Sequence, residues 1–437
     1  MIVKRLASVG PTSRQVAELP AMPCTSSRTG APSEGSGPPK RYATSWPWIR
    51  IVRFSSCAMA ERYGVGPRGT SAERGSAPID ARGNALTSGP VHDLAVASGT
   101  FHVSMTVPTE DLAAARTIYR ELEDLGYDRA FSFEAKHDPF IPLAVAAEHT
   151  GHIALGTAIA IGFARTPMTL ANAAWDLQMV TGGRFVLGLG SQIRQHVEER
   201  FSMPWSHPAE RMRELVAGTR AILHAWQDGT PLDFEGRFYR HTRMIPAFDP
   251  GPNPHGVPPI FTAGVGPRMT EVAGEVADGF LVHPVNTRRS LLEVTVPAIA
   301  RGAERAGRQA TDVEVVCVTI VVTGRDEAEM VRSREAVRQQ LAFYGTTPAY
   351  RPVFELAGYG DLLPELQVLA RQDRWAEMAG LIDDALIEEV AVCGEPHEIA
   401  PQLRARLDGI SRHVSLVNNR APDPRHLAEV VADLHRP

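Results

Sequence analysis

The chain has 437 residues, 43% of them hydrophobic and 22% charged, with a formal net charge of −5. That balance excludes a fibrous or wholly disordered polymer and offers no cationic field for nucleic acid, and no stretch approaches the roughly 20 apolar residues that span a bilayer. The length fits one large α/β domain with an appendage, or two domains.

Charge and turn residues divide the chain. Residues 1–100 carry 12 Lys and Arg against 6 Asp and Glu, with 11 Gly, 10 Pro and 13 Ser, whereas residues 101–437 carry 33 basic against 44 acidic side chains. Such a leader buries too little apolar surface to offset its ordering entropy, so residues 1–97 are expected to be disordered and 98–437 to form the folded domain. Arg50 and Arg53 interrupt the one apolar patch, Trp46 to Met59, which argues against a secretory signal. The leader reads either as a targeting peptide or as a start assigned too early, with translation beginning near Met59 or closer to Phe101. Cys24, Cys57, Cys317 and Cys393 lie far apart without CxxC spacing, so neither a disulfide framework nor structural zinc is indicated, and a reducing, cytoplasmic setting fits.

From Phe101 the pattern alternates short apolar runs with amphipathic helices. A strand over Phe101 to Val107 precedes a helix over Thr109 to Leu125, N-capped by Thr109 and closed by Gly126. Strand Arg129 to Glu134 precedes helix Phe140 to His149. The almost wholly apolar Ile153 to Ile161 reads as one long buried strand, followed by helix Pro167 to Val180, strand Arg184 to Gly190 and helix Pro208 to Trp226. Further strands are expected at Pro259 to Ala263, Phe280 to Val282, Val313 to Val322 and His413 to Val417, with helices starting near Pro267, Thr287, Asp326 and Asp423. Two stretches break the rhythm: a hairpin at Leu232 to Tyr239 within 228–258, and a loop with extra helices within 346–395. Eight strands, most followed by a helix, fit a (β/α)8 TIM barrel with insertions, whose chemistry belongs at the C-terminal strand ends.

Those ends hold few chemical groups. After strand 2, Lys136 is the only lysine beyond Lys40, and His137 can shuttle a proton or cap a helix. After strand 4, Gly188 and Gly190 allow a flat ring or a phosphate close to the backbone, and Arg194 adds charge. Ala263-Gly264-Val265-Gly266-Pro267 leads into a helix with proline at its first position, whose exposed N–H groups and dipole suit a cofactor phosphate. His283, before Pro284, is either a pocket group or a loop anchor. The first strand carries one histidine, His102, rather than HxH, so no metal site is expected, and GxSxG, GxGxxG and Walker patterns are missing.

The ordered set Gly156 to Ile161 with Arg165-Thr166-Pro167, Gly183 to Gly190, Phe234 to Tyr239, Ala263 to Pro267 and Ala277-Asp278-Gly279 resembles the luciferase-like monooxygenase superfamily over residues 101 to 435, and within it the coenzyme F420-dependent oxidoreductases. The resemblance implies a TIM barrel binding a deazaflavin or flavin at the strand ends, usually as a homodimer. It places a non-prolyl cis peptide at Ala158-Ile159, beneath the ring, with Ile161 near. His137 falls near the reactive ring edge, with Lys136 where an aspartate is common. Gly190, Ser191 and Arg194 fall at cofactor-contacting positions, and Ala263, Gly264, Val265, Gly266 and Pro267 at the phosphate turn. Ser191, and Met105 or Thr106, stand where sugar-phosphate dehydrogenases of the family carry glutamates, so that substrate is not supported. The expected activity is hydride transfer between F420 and a small, hydrophobic substrate lined by Ile159, Ile161 and Met105, with His137 supplying the proton or a hydrogen bond that tunes the ring. An FMN-dependent monooxygenase and a non-catalytic cofactor-binding barrel are the alternatives.

Overall fold

The computed structural model describes residues 99–107, 111–417 and 424–437. The expected disordered leader and the helix starts at Thr109 and Asp423 lie outside the described residues. Eight strands run parallel: β1 His102–Val107, β2 Arg129–Ser132, β3 Ala154–Thr157, β4 Phe185–Gly190, β5 Ile260–Gly264, β6 Gly279–Val282, β7 Glu314–Val322 and β8 His413–Val417. Each pairs with its sequence neighbour, and β8 returns to β1 with His102 opposite His413, so the sheet closes into a ring. The main helices are α1 Ala115–Asp124, α2 Phe140–Ala147, α3 Pro167–Val180, α4 Pro208–Asp228, α5 Pro267–Val276, α6 Val296–Arg305, α7 Glu327–Gly345, α8 Pro396–Leu407 and α9 Ala428–Leu434. The chain folds as the (β/α)8 TIM barrel that its alternation predicts.

Period-two alternation sorts the strand residues between two cores. Val103, Met105 and Val107 of β1, Phe185, Leu187 and Leu189 of β4, and Val414 and Leu416 of β8 pack outward against the helices. Phe131, Val186, Phe261, Leu281 and Val316 fill the axis, with Ala158, Ile159 and Ala263 packed on them towards the C-terminal end. Met105 is therefore behind the sheet, 4% exposed, and does not line the mouth as expected; Thr106 takes the inward phase.

Local signals set the boundaries. Thr166 accepts from the Thr169 amide and Pro167 opens α3, while Asp326 caps α7 through the Glu329 amide. Ahead of α1, Asp111 caps a 3-10 turn, Leu112–Ala114, through the Ala113 amide. The expected single strand from Ile153 to Ile161 is broken: β3 ends at Thr157, and Ala160–Ile161 pairs separately with Leu189 and Gly190 of β4. Between them the Ala158 amide donates to Ser132 O (2.7 Å) and Ile159 O accepts from the Glu134 amide (3.0 Å), which turns this segment towards the β2 end.

The insertion before α8 adds helices Arg351–Leu356, Leu363–Arg371, Trp375–Gly380 and Asp384–Val390, and a strand, Ala391–Cys393, parallel to the upper half of β7. These build a second core from Val285, Ile320, Val322, Leu341, Phe354 and Leu366, which places the insertion over the β6–β7 side of the mouth. Neither that strand nor α8 is evident from the sequence pattern. The hairpin forms between Phe234–Glu235 and Arg240–His241. Among the described residues no helix is long and apolar enough to cross a membrane.

Candidate functional site

The C-terminal ends of β2 to β5 form one arc. Gly190 lies opposite Ala263 across the β4–β5 ladder, and Ile161 opposite Gly190. A Cβ added at Gly190 would stand 2.7 Å from Ile159 Cγ1, and one at Gly188 would stand 1.8 Å from Thr157 O. These glycines thus let β3 and Ile159 close against β4 without a side chain between them. The Ala158–Ile159 peptide is cis. Ile161 is fully buried, and its amide donates to Glu134 Oε2 (2.8 Å), so the backbone rather than the side chain is what it brings to the arc.

At β5 the turn is built from backbone. Gly266 caps α5 with its carbonyl, accepting from the Met269 and Thr270 amides, and Pro267 is the first helical residue. Among the described residues nothing accepts from the amides of Val265, Gly266 or Arg268. A Cβ at Gly266 meets no atom within 4 Å. Three amides beside a helix N-terminus fit a phosphate oxygen in both charge and hydrogen-bond polarity.

The loop after β2 is held by charges. Glu134, its side chain 5% exposed, accepts from Arg165 Nη1 (2.5 Å), and Arg165 Nη2 reaches Asp138 (2.8 Å). Burial alone would lower the Arg165 pKa, but the two carboxylates outweigh it and the guanidinium is held above its ordinary value. Arg200 donates to Ala135 O (2.5 Å), and Asp138 Oδ1 accepts from the Phe140 amide. Half-buried His137 and exposed Lys136 sit in the middle of this clamped loop, beside the β3 segment that the Glu134 amide engages. Glu134 and Arg200 were not singled out from sequence. The legible signal was Arg165-Thr166-Pro167, but its partner lies 31 residues earlier.

Ser191 is half-buried after β4 and donates to Gln192 O (3.1 Å). Arg194 turns to Glu198 one turn along its own helix (2.8 Å) with its side chain 63% exposed. The structure thus gathers Ala158, Ile159, Gly190 and Ala263 on the arc, with Gly264 to Pro267 leading off β5, Lys136–His137 on the adjoining loop, and Arg194 on the turn that follows β4. Among the described residues no cluster of His, Cys, Asp or Glu could hold a metal ion.

With this geometry in place, comparison with known proteins assigns the chain to a family. Residues 93–412 match the luciferase-like monooxygenase family, and the chain belongs to it. An uncharacterized protein of Mycobacterium tuberculosis is 53% identical over 305 residues, covering 70% of this chain and 89% of that protein. A putative coenzyme F420-dependent oxidoreductase of the same species is 29% identical over 298 residues, covering 64% and 84%. Among solved structures, the coenzyme F420-dependent tetrahydromethanopterin reductase of Methanopyrus kandleri superposes with a TM-score of 0.66 at 21% identity, covering 77% of this chain and 98% of that one.

Proposed function

We propose that the protein is an F420-dependent oxidoreductase that moves a hydride between the deazaflavin and a small organic substrate, working as a homodimer. The observation that carries this reading is the β5–α5 turn, where the amides of Val265, Gly266 and Arg268 have no acceptor among the described residues. The family membership and the relative named as F420-dependent support it.

When bound, the deazaflavin supplies a hydride at its carbon 5 and reacts poorly with oxygen. This chain's residues then have four tasks. The β5–α5 amides would hold the phosphate, and Ile159, with Gly190 behind it, offers an apolar seat for a ring. The inner cluster of Phe131, Val186, Phe261, Leu281 and Val316 closes the barrel beneath and keeps water out. Clamped by Glu134, Arg165 and Asp138, the β2 loop holds His137 at the rim, where an imidazole nitrogen can hold or deliver one proton.

Difference absorption on adding F420 and FMN separately to the full chain tests the reading. A saturable F420 band supports it. Binding of FMN alone replaces it with a flavin-dependent monooxygenase, and binding of neither leaves a barrel without this cofactor chemistry. Light scattering of the eluted protein checks the homodimer.

A further inference from the structure

Strand β6 alternates in the same way as its neighbours. Phe280 and Val282 pack outward, and Leu281 belongs to the inner cluster. His283 takes the next inward phase, one layer above Leu281, at the mouth. Two hydrogen bonds fix its ring: Nδ1 accepts from the Val285 amide (3.2 Å), and Nε2 lies 3.1 Å from Tyr350 Oη. With Nδ1 committed as an acceptor, the proton resides on Nε2 and is donated to the phenol oxygen.

Tyr350 comes from the 3-10 turn Pro348–Tyr350 that opens the insertion, and its ring lies tilted by 31° against the imidazole, centroids 4.5 Å apart. Tyr344, from the last turn of α7, meets the imidazole edge-on at 5.1 Å and accepts from Gln340 Nε2 (3.3 Å). Both phenol oxygens are thus used as acceptors, and among the described residues no group accepts from either hydroxyl hydrogen. No charged side chain among the described residues pairs with any of the three rings. Each of the three residues is half-buried as a whole, and both tyrosines pack on the second core. Burial between two phenols pushes the His283 pKa down to about 3 and raises both tyrosines, so the trio stays neutral across the working pH range.

We propose that His283 and Tyr350 form the subsite that receives the oxygen of an uncharged substrate, a carbonyl compound or an alcohol, with the Tyr350 hydroxyl donating to that oxygen. This deepens the oxidoreductase reading and rests on it. One neutral donor matches one neutral oxygen. A carboxylate or phosphate entering here loses its hydration and meets no cation, so it is rejected. The Nε2–H donated to Tyr350 Oη polarises the phenol and strengthens its own donation.

The test uses the full-length protein, with and without F420, and two probes of equal ring size, cyclohexanone and cyclohexanecarboxylate, titrated by calorimetry. The expected result is that cyclohexanone binds with an affinity that is flat between about pH 5 and 9, and that the carboxylate binds at least about tenfold more weakly. Tyr350→Phe is expected to weaken cyclohexanone by about two- to tenfold, the worth of one neutral hydrogen bond, with circular dichroism and F420 affinity unchanged. Equal or tighter binding of the carboxylate, unchanged affinity in a folded Tyr350→Phe protein, or no ketone binding overturns the proposal. Should Tyr350→Phe fail to fold, the ketone-against-carboxylate contrast in the unaltered protein still decides. Failure of F420 itself to bind sinks the oxidoreductase reading and is seen separately, because the probes are also titrated against protein without cofactor.

Discussion

Glu134 illustrates how much one side chain organises at the rim. Its carboxylate accepts from Arg165 and from the Ile161 amide, while its own amide donates to Ile159 O, so one residue ties the β2 loop to both sides of the break after β3. Glu134→Gln keeps the shape but leaves Arg165, 16% exposed, with the more exposed Asp138 as its remaining carboxylate. Urea unfolding is expected to show a loss of about 1–3 kcal/mol, and F420 affinity is expected to fall with it because the ring seat loosens. His137→Ala separates chemistry from binding: turnover is expected to drop about 100-fold with F420 affinity within about threefold. Turnover at the wild-type level takes His137 out of the mechanism.

Strand β4 and helix α5 carry opposite demands on their glycines. A methyl group at Gly188 lands on Thr157 O and within 3.0 Å of Leu281 Cδ1, backbone and packed core that have nowhere to go. Gly188→Ala is therefore expected to destabilise by at least about 1–3 kcal/mol in chemical denaturation. Gly266 has an ordinary φ of −86° and open space around it, so Gly266→Ala leaves the melting temperature close to wild type. If the open amides there hold phosphate, the same Gly266→Ala weakens F420 binding, since the methyl group enters the volume the phosphate needs. Stability unchanged and F420 affinity also unchanged would place the phosphate elsewhere.

The N-terminal floor of the ring carries a network of charged and aromatic side chains. His102 and His413, opposite each other where β8 meets β1, stack at 4.7 Å, and Glu314 on β7 accepts from His413 and pairs with Arg129 on β2 at 2.7 Å. Burial alone would raise the Glu314 pKa, but the His413 hydrogen bond and Arg129 outweigh it and bring it down to about 2. Glu123 behaves alike: burial is outweighed by the amides of Ile153, His152 and Gly151 ahead of β3, and it too falls to about 2. A carboxylate depressed in the folded state stabilises fully above its unfolded value and loses that contribution as pH falls through its folded value. Stability is thus expected to fall between about pH 5 and 2, by a few kcal/mol at most for each group. Glu314→Gln is expected to flatten that acid limb in denaturation curves taken across pH; an unaltered limb would show that the floor does not contribute.

The alternation of the eight barrel strands with helices, the helix start near Asp326, the proline start of α5 and the positions of the glycine turns were legible because they depend on hydrophobic period and on dihedral preferences within a few residues. The site was legible only in part. Gly190, Ala263 and the Gly264–Pro267 turn could be marked as backbone approaches. That Met105 points outward while Thr106 faces the axis could not, since closing the ring fixes the phase of every strand at once. Glu134 with Arg165, His283 with Tyr350 and His102 with His413 are partners separated by up to hundreds of residues, and nothing local to either member names the other. Local chemistry therefore decided which segments would turn, pair and coil, and the closed barrel with its insertion decided which side chains would meet, because meeting is a property of the whole path that the chain takes through space.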